Sequence, residues 1–281
     1  MNDMSNIREM MEKRLAEDRL HLYGKVGRKW IRYAENYFWD ETQQDFRIED
    51  LQRYGFLPGR AKVLDLAAGC GQFLLRALDH GYDCLGLEPE VWKVDFVRQK
   101  MYLHEMPESA ERIIEGVGES LPFLDDSFDC IASYQTLEHV QDPRQVIMEM
   151  VRVTRPGGGI HLRCPDYRSS FEAHYQLPWL PLMPKRLARV YLSLLCRPAE
   201  GLDGIRYVTR PRILGWLREI EREGVKLVIF DDSRIRFENN LRRRGLPCMP
   251  GSYLLWRILN YVYYLFRQES SINLFVRVMA K

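Results

Sequence analysis

Val63-Leu64-Asp65-Leu66 is an apolar run interrupted by one acid, and it passes without a spacer into Ala67-Ala68-Gly69-Cys70-Gly71 and then Gln72-Phe73-Leu74-Leu75. The run reads as a buried strand, the small residues as a tight turn open to close approach, and the next stretch, to Asp79, as a helix. A strand that feeds a helix in this way, followed by further alternating runs, is the βαβ signature of a parallel sheet.

The rest of the chain keeps to that pattern. Strands are expected at Cys84-Leu85-Gly86-Leu87, at Arg112-Ile113-Ile114, at Phe128 to Ala132 and at Ile160 to Cys164, the last entered by a turn at Pro156-Gly157-Gly158-Gly159. Helices are expected from Val91 to Met101 and near Asp142 to Val153. The alternation lapses over 165–207, rich in proline and aromatic residues, which reads as an inserted cap. It resumes with a helix near Arg212 to Glu223 and strands at Lys226 to Phe230 and Asn273 to Met279. Residues 1–57 read as an N-terminal helical extension with an aromatic cluster, Trp30, Tyr33, Tyr37, Phe38 and Trp39. The expected organisation is therefore this extension, then an α/β domain over 58–281 with insertions at 165–207 and 232–271.

Composition narrows the class. The 281 residues are 46% hydrophobic and 28% charged with a net charge of +2, so no overall field points to nucleic acid. Six scattered cysteines without a C-x-x-C pair argue against a structural zinc site, and no metal ligand set is expected. Buried free thiols suit a reducing compartment. The charged start MNDMSNIREMMEKRLAEDR is unlike a signal peptide, and no run of 18 apolar residues occurs, so the expected location is cytoplasmic.

The first helix's free N–H groups and positive end would face a ligand beyond the strand ends. A phosphate would need no acid there. Asp65 at the strand end argues instead for a ligand with an ammonium group as well as a carboxylate. Glu88, at the tip of the second strand, is placed to accept from both hydroxyls of a ribose. The plain alternatives are tight helix–strand packing at the turn and a solvated acid at Glu88.

Five segments in order resemble class I methyltransferases that use S-adenosylmethionine, strongly over 63–164. Asp65 to Gly71 matches the first motif, with Ala67 in place of its first glycine and Gly69 and Gly71 retained. Glu115-Gly116-Val117-Gly118-Glu119-Ser120-Leu121-Pro122-Phe123 is similar to a stretch found in quinone-biosynthesis relatives, with Val117 where an adenine-binding Asp is usual. Asp126 to Ile131, Leu137-Glu138-His139-Val140, and Arg155-Pro156-Gly157-Gly158-Gly159 resemble the fourth strand, its loop and the turn into the fifth. The resemblance implies a Rossmann-like seven-stranded, mostly parallel sheet, its last strand antiparallel between its neighbours, with helices on both faces. It also implies S-adenosylmethionine held by Asp65, Ala67, Gly69, Gly71, Glu88, Pro89, Gly118, Glu119 and Tyr134.

On the acceptor side, His139 follows the fourth strand and titrates near neutrality, so it is the candidate base; a helix-start histidine bonded to backbone is the alternative. Asp166, past the fifth strand, would orient a base or bind a sugar hydroxyl. Sugar O-methyltransferases of this class resemble that arrangement in position. The cap adds Glu172, His174 and Tyr175, of which His174 is counted with the catalytic candidates. O-methylation of a small-molecule, sugar or lipid-linked acceptor is the leading expectation. The alternatives are a catalytically silent binding protein and an NAD-dependent oxidoreductase. Tyr253 to Phe266, near Arg242-Arg243-Arg244, packs on the body, forms a homodimer face or rests peripherally on the inner surface of a membrane.

Overall fold

The computed structural model describes residues 4–24, 39–169, 171–232 and 271–281. The aromatic residues Trp30, Tyr33, Tyr37 and Phe38, the arginine run 242–244 and the segment 253–266 lie outside them.

Helix α1 (Met4–Tyr23) is followed by a 3-10 turn, Glu41–Gln44, and α2 (Asp45–Arg53). The alternating region then runs β1 (Lys62–Leu66), α3 (Gln72–Asp79), β2 (Asp83–Glu88), α4 (Val91–Leu103), β3 (Ile113–Glu115), β4 (Phe128–Tyr134), α5 (Pro143–Val153) and β5 (Thr154–Pro165). In the cap, a small hairpin of two-residue strands, β6 (Phe171–Glu172) and β7 (Leu177–Pro178), leads to α6 (Lys185–Leu194). α7 (Arg210–Arg222), β8 (Lys226–Asp231) and β9 (Ser271–Ala280) complete the described residues.

The seven other strands make one sheet in the order β3-β2-β1-β4-β5-β9-β8, parallel from β3 through β5, with β9 antiparallel to both β5 and β8. This is the Rossmann-like arrangement expected from the sequence. The order reverses between β1 and β4, and a sheet wound outward in both directions opens a crevice there, beyond the strands' carboxyl ends.

The period-2 alternation of the strands assigns the two faces. Val63, Cys130, Ala132 and Phe275 point to one core, closed by Phe73, Leu74 and Ala77 of α3, Val94 and Val97 of α4, and Ile48 and Leu51 of α2. Leu64, Leu66, Ile131, Ile160, Leu274 and Val276 point to the other, closed by Val146 and Met150 of α5 and Ile213 and Leu217 of α7. Asp142 caps α5 by accepting from the Arg144 and Gln145 amides, and Pro143 occupies its first turn.

The N-terminal extension is built into this body. Met11 of α1 is buried in the first core, and the Arg14 guanidinium lies 4.9 Å from the Trp92 ring centre of α4. The cap has a small core of its own around Tyr167, Tyr175, Trp179, Met183, Leu192 and Leu202. Four of the cysteines, Cys70, Cys84, Cys130 and Cys164, are free and buried, while Cys196 is exposed. Among the described residues no helix is long and apolar enough to cross a membrane.

One boundary differs from the sequence reading. The Pro156–Gly159 segment belongs to β5, which starts at Thr154 paired with Phe128, and the register shifts before Cys130 meets Gly159. Gly157 takes a left-handed φ of 84°, which lets the strand absorb the irregularity without ending.

At Gly159 the Phe56 ring sits so close that a Cβ would lie 2.2 Å from its Cγ. Gly159→Ala should therefore lower stability by about 1–3 kcal/mol through overpacking. Phe56→Leu in the same chain should recover part of the loss. Urea unfolding midpoints of the single and double variants test this, and additive losses would contradict the contact.

Candidate functional site

The turn after β1 is held from two sides. Ala67, Gly69 and Gly71 all have positive φ, at 61°, 58° and 78°. A side chain at Gly71 would collide with Val97, whereas no atom lies within 4 Å of where a Cβ at Gly69 would stand. Glu88, 3% exposed, turns its carboxylate onto this turn: Oε2 accepts from the Gly69 amide at 2.9 Å and Oε1 from the Glu90 amide at 3.2 Å. Lys93 stands 3.7 Å from the same carboxylate. The tips of β1 and β2 are thus stitched together.

Beyond them lies a cleft of about 420 Å³, within the range of small-molecule sites. Leu66 and Ala67 come to it from the end of β1, Leu87 and Pro89 from that of β2, Gly116 to Glu119 from the loop after β3, and Thr136 and His139 to Gln141 from the loop after β4. Glu119 closes the loops on one another by accepting from the Gln141 and Asp142 amides, at 2.8 and 3.3 Å.

Of the cofactor-side candidates, Ala67, Pro89, Gly118 and Glu119 line this cleft. Gly69, Gly71 and Glu88 build the turn beside it. Asp65 and Tyr134 lie deeper. Burial raises the Asp65 carboxyl to about 7 against the pull of the Arg47 charge, and its Oδ2 has no hydrogen-bond partner. Tyr134 sits in the first core beneath the Arg47 guanidinium, 4.0 Å from its ring centre. Its hydroxyl donates to His161 Nδ1, because His161 Nε2 donates to Asn273 Oδ1 at 2.8 Å. Burial keeps that imidazole neutral, with its pKa down to about 3.

On the acceptor side the structure brings His139 and His174 together and gives Asp166 different partners. Asp166 pairs with the Arg168 guanidinium and accepts from the Arg168 and Arg210 amides, which pins the turn after β5. His139 reaches the end of the cleft on a turn closed by its own amide to the Thr136 carbonyl, at 2.9 Å. Its Nε2 meets Nε2 of His174 at 3.2 Å, the rings nearly perpendicular. Burial and the nearby His174 push the His139 pKa down to about 4. For His174, burial works against the charge but is outweighed by Glu172, whose Oε1 takes the Nδ1 hydrogen at 2.8 Å, so its pKa is raised.

Two residues of this cluster escaped the sequence reading. Glu138 is fully buried beside the histidines, neither carboxylate oxygen has a hydrogen-bond partner, and desolvation raises its pKa to about 7. An ionised carboxylate left alone in such a place costs several kcal/mol. Tyr23, at the end of α1, stacks on the His174 ring with centroids 5.5 Å apart, and Arg19 donates to the His174 carbonyl. No motif marks Tyr23; the only signal for Glu138 is an acid inside an otherwise apolar Leu-Glu-His-Val segment.

The raised Asp65 pKa couples stability to pH. Its folded value lies above the unfolded one, so the stabilisation is complete below the unfolded pKa near 3.8 and is lost as pH rises towards about 7. In urea titrations between about pH 5 and pH 8, the unfolding free energy of the wild type should fall with rising pH relative to that of Asp65→Asn, which lacks this group. An identical slope in the variant would contradict the assignment.

Comparison with known proteins agrees with this geometry. Residues 64–162 match a family model described as a methyltransferase domain. An uncharacterized methyltransferase of Mycobacterium sp. (strain JLS) is 38% identical over 117 residues, covering 42% of this chain and 44% of that protein. A demethylmenaquinone methyltransferase of Renibacterium salmoninarum is 35% identical over 162 residues, covering 54% of this chain and 65% of that one. The chain thus spans about half the length of the curated relatives it matches. Among solved structures, a proposed sarcosine dimethylglycine methyltransferase from Galdieria sulphuraria has the same fold at a TM-score of 0.51, with 17% identity and coverage of 89% of this chain and 88% of that one. Sheet order and sequence match converge: residues 64–162 match a methyltransferase domain, within a sheet of the Rossmann-like order expected of the class I, S-adenosylmethionine-dependent type.

Proposed function

We propose that the chain transfers the methyl group of S-adenosylmethionine to an oxygen of a small-molecule or glycan-like acceptor. The observation that carries this reading is a single cleft with a small-residue turn at one end and paired imidazoles at the other.

The residues present fit the cofactor. Open space at Gly69 leaves room for the amino-acid end beside the turn, and Leu66, Leu87 and Val140 offer apolar walls for a nucleobase. Glu88 uses two of a carboxylate's roughly four acceptor positions on the Gly69 and Glu90 amides, which leaves two for ribose hydroxyls. With Val117 at the position where the family usually has an Asp, nucleobase recognition falls to the backbone around Gly118. The bound cofactor supplies an electrophilic methyl group that needs no activation, so the protein's part is to orient the acceptor and deal with its proton.

Oxygen is favoured as the acceptor atom by the His139–His174–Glu172 chain. A hydroxyl has a proton to lose as the C–O bond forms, and the His139 imidazole at the end of the cleft, backed by His174 held on a carboxylate, is placed to receive it. His174 comes from the cap and Tyr23 from α1, so the acceptor, whether small molecule, sugar or lipid-linked, would enter where these parts of the chain meet the body.

Isothermal titration should show S-adenosylhomocysteine binding, with no comparable affinity for NADH. Glu88→Ala should weaken that binding about tenfold or more, the usual cost of hydrogen bonds to a charged group. Labelled methyl transfer into an extract of small molecules, glycans and lipids should yield a base-stable ether. Preference for NADH, unchanged affinity in the variant, or label only in amines would each overturn part of the reading.

A further inference from the structure

Glu138, His139 and His174 offer three ligand atoms that all lie within 4.8 Å of one another. We propose that they form a binding site for a divalent first-row transition metal ion at the acceptor end of the cleft. Separations along the chain predict no such site, since His139 and His174 come from two loops 35 residues apart.

The orientation of the rings is the first argument. His174 gives its Nδ1 hydrogen to Glu172 and turns its Nε2 to the Nε2 of His139, 3.2 Å away. His174 therefore commits one nitrogen to an oxygen acceptor and brings the other against the His139 ring. A metal-ligating histidine is held in this way by its outer partners. Two Nε2 lone pairs facing each other repel unless a proton or a cation lies between them.

The spacing is the second. Two imidazole nitrogens on one tetrahedral zinc-sized ion, each about 2.05 Å from it, stand about 3.3 Å apart. The observed separation is 3.2 Å. Glu138 supplies the charge: it is fully buried, neither oxygen has a hydrogen-bond partner among the other described residues, and a carboxylate oxygen lies within 4.8 Å of both imidazole nitrogens. Two imidazoles and one carboxylate suit Zn²⁺, Mn²⁺, Fe²⁺ or Co²⁺ better than Ca²⁺ or Mg²⁺.

Three protein ligands leave a coordination position open, and His139 lines the cleft, so that position would receive the acceptor's oxygen. A metal ion there would orient the oxygen and lower its pKa, so that its proton could pass to solvent water while the imidazoles serve as ligands. This last step rests on the methyl-transfer reading; the metal site itself does not.

The test uses the full chain, stripped with a chelator and titrated with Co²⁺, monitoring the visible absorption of the ion and its displacement by Zn²⁺. One equivalent should bind with the intense bands of a four- or five-coordinate site. Glu138→Gln and His174→Ala should each weaken binding at least about tenfold, and His80→Ala, a histidine elsewhere, should not. S-adenosylhomocysteine titration of the same samples reports separately on the cofactor reading and confirms that each variant is folded. If one variant fails that check, the other decides. Absence of stoichiometric Co²⁺ or Zn²⁺ binding by the wild-type chain overturns the proposal, as does binding undiminished in a folded variant.

Discussion

The hydrogen bond from the Gly69 amide to Glu88 is the contact on which the geometry of the cleft turns. Two parallel strands paired through Leu66 and Leu87 bring their ends level, but level ends alone do not shape a site. The turn after β1 has to bend back through three left-handed residues, one of them the non-glycine Ala67, and such a path needs an external partner to hold it. Glu88 supplies that partner from the neighbouring strand. A residue proposed to meet a ribose thus also organises the backbone of the turn after β1. Loss of its carboxylate would disturb both.

The second half of the site is assembled by sequence-distant pieces. His139 sits on a turn directly after β4, so the sheet fixes its position to the precision of a packed core. His174 sits on the small hairpin of the cap, which has no extended sheet to lean on. Its position depends instead on Glu172 bonded to its ring, Tyr23 stacked against it and Arg19 on its carbonyl. The N-terminal helix accordingly joins the cap to the Rossmann-like body, with Met11 anchored in one core and Tyr23 packed edge-on against Tyr175 of the cap.

The contrast between these halves explains what could be read from the sequence. The strand–turn–helix around Asp65, the acid at Glu88 and the strand positions show in local patterns, because parallel strands impose buried runs and short turns that leave their mark within a few residues. Even there, β5 extends through Pro156–Gly159, where composition alone reads as a turn; the pairing of Thr154 with Phe128 and the left-handed Gly157 override the local signal. Asp166 shows the limit more sharply. Its place after β5 makes it look like a partner for His139, yet Arg168, two residues on, and the Arg210 amide, 44 residues on, take its carboxylate. Pairing across loops depends on how the cap folds, and no periodicity encodes that.

Glu138 is the residue whose energetics most need a functional account. A stable fold alone would favour glutamine or an apolar residue at a fully buried position whose carboxylate finds no donor, because the ionised acid is poorly solvated there. Protonation removes the charge, and the shift to about 7 shows how far burial pushes in that direction. A protonated acid, however, still leaves an O–H without an acceptor in the same surroundings. A positive charge between the two Nε2 atoms would offer a partner, carried either by a shared proton or by the proposed metal ion. The shared proton would sit near His174, which Glu172 already balances, and would leave Glu138 uncompensated. A doubly charged ion would balance both carboxylates, which is the energetic case for the proposed site.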